Sequence, residues 1–344
     1  MTRAPAAFAA ACSLALAACG GPAPVAPDSP VALELARRLQ ISAGPARQLA
    51  FSPDGSLLAT SAADGAILLW PTRQRAKPHR LVQEGGVTSL AFSGDGRLLA
   101  SGGYDGTVRL WQVGDGTMLR RLGKEGGGTV WTVDLSHDGS RVASGGEDKL
   151  VHLWRTADGA PIAALKGHRL NIWEVRFTPD GGRLVSSSFD HDIRIWDGAT
   201  GKPLRTLSGH EQAAVGLAIS PDGATIGSGS DDSTVRLWRL ADGRPLRRMD
   251  AGNHAYSVAF SPDGTMLASG GRARGDIGTL WHQITGGGAA GESVRLWRVA
   301  DGALLAAASQ PEDVMAVAFS PDGGWVATAA ENGTVSLWQV RRRN

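Results

Sequence analysis

The chain has 344 residues, of which 42% are hydrophobic and 20% charged, with a formal net charge of +2. That balance supplies no field for holding a polyanion, so nucleic acid is not an expected partner, and the terminal Arg341-Arg342-Arg343 reads as a solvated end. Glycine is abundant, at 47 residues without a collagen period, which fits a chain of many tight turns.

In chain order, Met1-Thr2-Arg3 gives a short basic start and Ala6 to Ala18 an apolar stretch rich in alanine and leucine. The stretch is too short to span a bilayer and has the length of a signal-peptide core. It closes on Leu16-Ala17-Ala18-Cys19-Gly20, which resembles the lipobox of bacterial lipoproteins. That resemblance implies a signal peptide over residues 1–18, with Cys19 as the lipid attachment site and new N-terminus. Gly20, where aspartate would retain the protein at the inner membrane, implies an outer-membrane anchor facing the periplasm. Secretion or an inner-membrane anchor are the alternatives. Cys12 lacks the leucine, and with both cysteines in the leader the expected domain has no disulfide. Residues 19–32, with Pro22, Pro24, Pro27 and Pro30, are too poor in large apolar groups to pack a core and read as an extended tether.

Residues 33–344 form the expected folded domain, and they are repetitive. A turn reading S-P-D-G or a variant, an apolar run, a second polar turn and a strand closing on tryptophan recur seven times. The closing residues are Trp70, Trp111, Trp154, Trp196, Trp238, Trp297 and Trp338, with gaps of 41, 43, 42, 42, 59 and 41 residues. A period near 42 with four short strands per unit predicts propeller blades. The fifth repeat shows the grammar: Ala214 to Ile219, the turn Ser220-Pro221-Asp222-Gly223, Thr225 to Ser230, Asp231-Asp232, Thr234 to Trp238, and an outer strand around Arg244 to Arg247. Proline and glycine stand where that turn needs a fixed φ and an unusual one.

These repeats resemble the WD-repeat family over about nine-tenths of the chain, although the Trp-Asp pair survives literally only at Trp196-Asp197. The resemblance implies an all-β, seven-bladed propeller whose ring is closed by an N-terminal strand joining the last blade. The last repeat stops without an outer strand, and Leu33 to Ser42 has no other assignment, so it is the expected closing strand. A short helix over Leu33 to Leu39 is the competing reading.

Gly167-His168 and Gly209-His210 precede the fourth and fifth repeats. Their spacing resembles the family's structural tetrad. It implies hydrogen-bonded sets of His168, Ser188, Asp190 and Trp196, and of His210, Ser230, Asp232 and Trp238. Ser, His and Asp are also the ingredients of nucleophilic catalysis, but no nucleophile elbow accompanies them, so no catalytic residue is assigned. In other repeats Asp64, Asp105 and Asp148 keep the turn acid while Ala62, Gly103 and Gly146 replace the hydroxyl; those blades are expected to rely on packing. No metal site or cofactor is expected: no Cys/His cluster has ligand spacing, and no lysine follows Gly286-Gly287-Gly288 at P-loop spacing.

The resemblance also implies that the residue five before each S-P-D-G serine faces the channel mouth on one side of the ring. That column holds Arg47, Thr88, Trp131, Trp173, Val215, Tyr256 and Met315. The residue before each turn acid shares the rim: Ala63, Tyr104, Glu147, Phe189, Asp231 and Glu331. Tyr104, Trp131, Trp173 and Phe189 therefore fall on adjacent blades as a candidate binding patch, joined by Tyr256 and Met315, with Glu147, Asp231, Asp313 and Glu331 as an acidic surround. Filling of the channel is the other reading of these aromatics.

About 17 extra residues lie between Gly271 and Ser293, where Thr279 to Thr285 alternates like a strand and offers Trp281 as a further binding residue. A neutral insertion is the alternative. The expected function is a lipid-anchored, non-enzymatic scaffold for a protein or peptide partner. Alternatives are an enzyme or small-molecule binder drawing on Glu147, Glu331, His254 and His282 at the channel rim, and an accessory for outer-membrane assembly.

Overall fold

The computed structural model describes residues 29–342, apart from 43, 63, 74–75, 124–126 and 273–291. Cys19, the leader and Trp281 lie outside the described residues. Among the described residues there are twenty-eight strands in seven four-stranded antiparallel sheets and no helix. Each sheet is one blade, and the first strands of neighbouring blades pack around a common channel. The blades are numbered 1 to 7 from the one that begins at Leu49 to the one that begins at Val314.

The S-P-D-G turns link the two inner strands of every blade. Their glycines, Gly55, Gly96, Gly139, Gly181, Gly223, Gly264 and Gly323, all have φ between 65° and 69°, a region a side chain disfavours. The turn hydroxyl and carboxylate then bond each other, as Ser52 Oγ does to Asp54 Oδ1 at 2.6 Å, so the corner is held by its own side chains.

Blade 3 shows why the pattern buries what it does. It consists of β10 (Val130–Leu135), β11 (Arg141–Gly146), β12 (Val151–Arg155) and β13 (Pro161–Leu165). Alternation sends Val142, Val151, Leu153 and Leu165 into the seams between blades, each almost fully buried. Trp154 and five of the other closing tryptophans are also buried, while Trp70 of blade 1 is half-buried. Burying a side chain of this size contributes roughly 1.5–3 kcal/mol.

Ring closure follows the strand reading and not the helix reading. β1 (Val31–Gln40) pairs antiparallel with β28 (Thr334–Arg342) through nine positions, from Val31↔Arg342 to Gln40↔Thr334, and completes blade 7. Residues far apart in sequence thus share one sheet, and the edge of β28 is covered. The strand begins two residues before the expected boundary at 33. Val31 drops into the core shared with Leu305 and Met266 of blade 6, and Ser29 Oγ donates to the Leu305 carbonyl. Deleting residues 31–40 should lower the unfolding midpoint by about 10 °C or more and cause self-association through the bared β28 edge; calorimetry and size-exclusion chromatography would show it.

Candidate functional site

The side chains at the channel mouth are placed by a repeated irregularity. In blades 2 to 7 the pairing of the first two strands slips by one residue near its start, between Val130 and Thr132 in blade 3 for example. The residues stepped over are Thr88, Trp131, Trp173, Val215, Tyr256 and Met315, the column that lies five before the turn serine. A β-bulge re-aims the side chain it carries. Here it turns Thr88, Trp131, Trp173, Tyr256 and Met315 into one cavity of about 40 Å³, with Arg47 of blade 1. Val215 is buried instead. This face is called the upper one.

The four aromatics of blades 2 to 4 form one continuous ladder. Tyr104 meets Trp131 edge-on at 5.9 Å, Trp131 stacks on Trp173 at 5.4 Å, and Trp173 lies against Phe189 at 5.1 Å. Tyr104 is 42% exposed; the other three are half-buried. Tyr256 and Met315 line the opposite lip, where Tyr256 touches His254 rather than the ladder. Burial pushes the Tyr256 phenol up to about 12, assisted by the nearby charges of Asp313, Asp231 and Glu331. The expected acids do collect on that side. They are partly offset, since Asp231 bonds His254 at 3.1 Å and Asp313 lies 3.9 Å from Arg272. Glu147 is used locally, accepting from the Thr129 amide. Of the four rim residues considered for catalysis, His282 is outside the described residues and the others form no cluster.

The tetrads need a correction. The hydroxyl is Ser186 in blade 4 and Ser228 in blade 5, not Ser188 and Ser230. Asp190 accepts from His168 Nδ1 at 3.1 Å, His168 Nε2 lies 2.8 Å from Ser186 Oγ, and Trp196 Nε1 donates to the same oxygen at 2.9 Å. Asp232, His210, Ser228 and Trp238 repeat the arrangement. A carboxylate can only accept, so a neutral ring keeps its proton on Nδ1 and accepts a hydrogen bond from the serine hydroxyl at Nε2. Burial would raise the Asp190 carboxyl, but the His168 ring and the Arg169 amide outweigh it and hold it well below the usual range. Ser188 and Ser230 sit two residues further along the same face, where each accepts the amide of its turn acid at 3.0 Å. In blade 3 this second place can hold only glycine, because a Cβ on Gly146 would lie 2.0 Å from the Thr129 carbonyl.

The same shift overturns the expectation of a lost hydroxyl in blades 1 and 2. Thr60, Ser101, Ser269 and Thr328 occupy the place of Ser186, and each accepts from its closing tryptophan. In blades 2 and 7 a buried glutamine replaces histidine: Ser101 donates to Gln83 Oε1, and Thr328 to Gln310 Oε1. Both glutamines stand 18 residues before their hydroxyl, the His168–Ser186 spacing, and that interval was the available sequence signal.

A third group escaped the sequence reading. One turn below the mouth, the channel wall is alanine at Ala50, Ala91, Ala218, Ala259 and Ala318, but Asp134 and Arg176 in blades 3 and 4, with Glu174 just above. Asp134 Oδ2 accepts the Phe177 amide at 2.7 Å, Glu174 Oε2 the Leu217 amide at 2.6 Å, and Arg176 pairs with Glu174. Thr132 and Ser89 make similar blade-to-blade bonds to Val175 and Val133. Burial in the narrow channel pushes Glu174 up to about 7 and Asp134 to about 6, although Arg176 and the backbone amides pull the other way. Aligning the column would have exposed the two breaks in a run of alanine.

The family model for WD domain, G-beta repeat, matches residues 37–71, 76–112, 116–155, 159–197, 201–239, 243–275 and 301–339. The chain belongs to the WD-repeat family. Six of the matches run from the outer strand of one blade through the next three strands to a closing tryptophan, whereas 243–275 stops short of Trp297, where the insertion of blade 6 begins. WD-repeat propellers generally bind protein partners and are generally non-enzymatic.

Two measurements follow from this geometry. Ser186→Ala leaves the Trp196 indole and the His168 ring without their partner and should cost about 1–3 kcal/mol in urea unfolding, whereas Ser188→Ala should cost less. Asp134 and Glu174 bind protons more tightly in the folded state than in the unfolded one. The folded state therefore carries the extra protons between about pH 4 and 7, and its stability relative to an Asp134→Asn/Glu174→Gln variant should fall as pH rises through that window and level off above it. A difference independent of pH would refute the assignment.

Proposed function

We propose that this WD-repeat propeller is a non-enzymatic scaffold that docks a protein or peptide on its upper face, against the ladder of Tyr104, Trp131, Trp173 and Phe189. The ladder carries the reading. Bulges in blades 3 and 4 turn Trp131 and Trp173 out of the seams, the turns of blades 2 and 4 add Tyr104 and Phe189, and such large, torsionally stiff side chains dominate recognition surfaces. The polar networks that resemble catalytic sets support it too. The tetrads are closed upon themselves, Asp134 and Glu174 are engaged in holding blades together, and Arg176 is paired with Glu174.

The proposal extends to the membrane. The lipobox-like Leu16 to Gly20 would place a lipid on Cys19 in a bacterial envelope, with the outer membrane and the periplasmic side favoured by Gly20. β1 enters the ring beside Arg342 on the lower face and runs up to Gln40 at the upper rim. A tether joined there would leave the ladder facing away from the bilayer.

Crosslinking from membranes, followed by capture of the native protein and of a Trp131→Ala/Trp173→Ala variant, tests the docking face. Partners lost from the variant are expected, and an unchanged set would remove the proposal. Cys19→Ser should move the protein from the membrane to the soluble fraction; continued membrane association would count against the anchor.

A further inference from the structure

We infer that the upper mouth is a cation site which the protein's own Arg47 occupies, and that a guanidinium or ammonium side chain of the docking partner displaces it. The inference rests on the upper-face reading and adds the chemistry of what enters. Arg47 leaves blade 1, passes blade 2 and places its Cζ 5.9 Å from the ring centroid of Trp131 on blade 3. A cation over the face of an indole is attracted by the ring quadrupole, most strongly where water is excluded.

What holds Arg47 there is otherwise slight. Among the described residues no carboxylate pairs with its guanidinium, and its buried Nε has no hydrogen-bond partner. The contrast is with Arg109, whose Nη2 lies 2.6 Å from Asp105. A buried donor without an acceptor weakens the closed arrangement, so exchange for another cation is easy.

The surroundings select for positive charge. Asp231, Asp313 and Glu331 bear on Tyr256 across the mouth. Arg272 and His254 offset part of that field. With Arg47 in place the space is about 40 Å³, little more than one water's share of the liquid, so no partner side chain fits until Arg47 swings out. Arg47 therefore acts as a plug of the same chemical class as the ligand.

The test uses the full chain, titrated with N-acetyl-arginine amide or neutral N-acetyl-glutamine amide and read by tryptophan fluorescence. Arg47→Ala should bind the arginine amide at least tenfold more tightly than the native protein and leave the glutamine amide unbound. Adding Trp131→Ala should abolish the gain. Equal affinity in native and Arg47→Ala proteins, or equal binding of the neutral amide, would overturn the inference. Arg47→Met, which fills the same space without charge, replaces Arg47→Ala if the latter fails to fold, with the same outcomes read. Loss of the cation effect with partner capture retained would refute the plug alone, and loss of capture dependence on Trp173 would refute the docking face itself.

Discussion

A ring of sheets holds only if its two ends meet, and here they meet through the nine paired positions of β1 and β28. Each blade buries its apolar seam against the next, so an open ring would expose two such seams and a row of unpaired backbone groups. Closure also carries Val31 and Ser29 onto blade 6, spreading the joint over two sectors. The mouth depends on it directly, because Arg47 follows the closing strand and must lie opposite Trp131 and Tyr256.

Within that constraint the blades use polar groups in two distinct ways. The tetrads run along a blade, tying a turn acid, a ring, a hydroxyl and an indole into one hydrogen-bonded line in blades 4 and 5, and an amide, a hydroxyl and an indole in blades 2 and 7. The channel groups run between blades, from Ser89, Thr132, Asp134 and Glu174 to the backbone amides of the next blade. Buried donors and acceptors that are all matched favour one register over its neighbours. Each kind tolerates substitution by equivalent chemistry, glutamine for histidine in the first and carboxylate for hydroxyl in the second.

The upper face joins these parts to recognition. A bulge costs one ladder position but frees a side chain from the alternation that would bury it. The same device thus yields valine in the fifth blade, where nothing is displayed, and tryptophan in the third and fourth. The acidic lip around Tyr256 and the aromatic ladder share one mouth, so charge and apolar surface are offered together.

The residues alone determined the repeat, the number of blades, the closing strand and the column that holds Trp131 and Trp173, because turn chemistry and a period near 42 are local properties read along the chain. They also placed Asp190, His168 and Trp196 in one set. Only the tertiary structure decided that Ser186 rather than Ser188 completes it, since both serines point to the same face and the choice depends on how far Trp196 reaches across the sheet. It alone brought Asp134 beside the Glu174–Arg176 pair at the channel wall and set Arg47 over Trp131, because those contacts join different blades and their distances come from the closing of the ring, not from spacing in the chain.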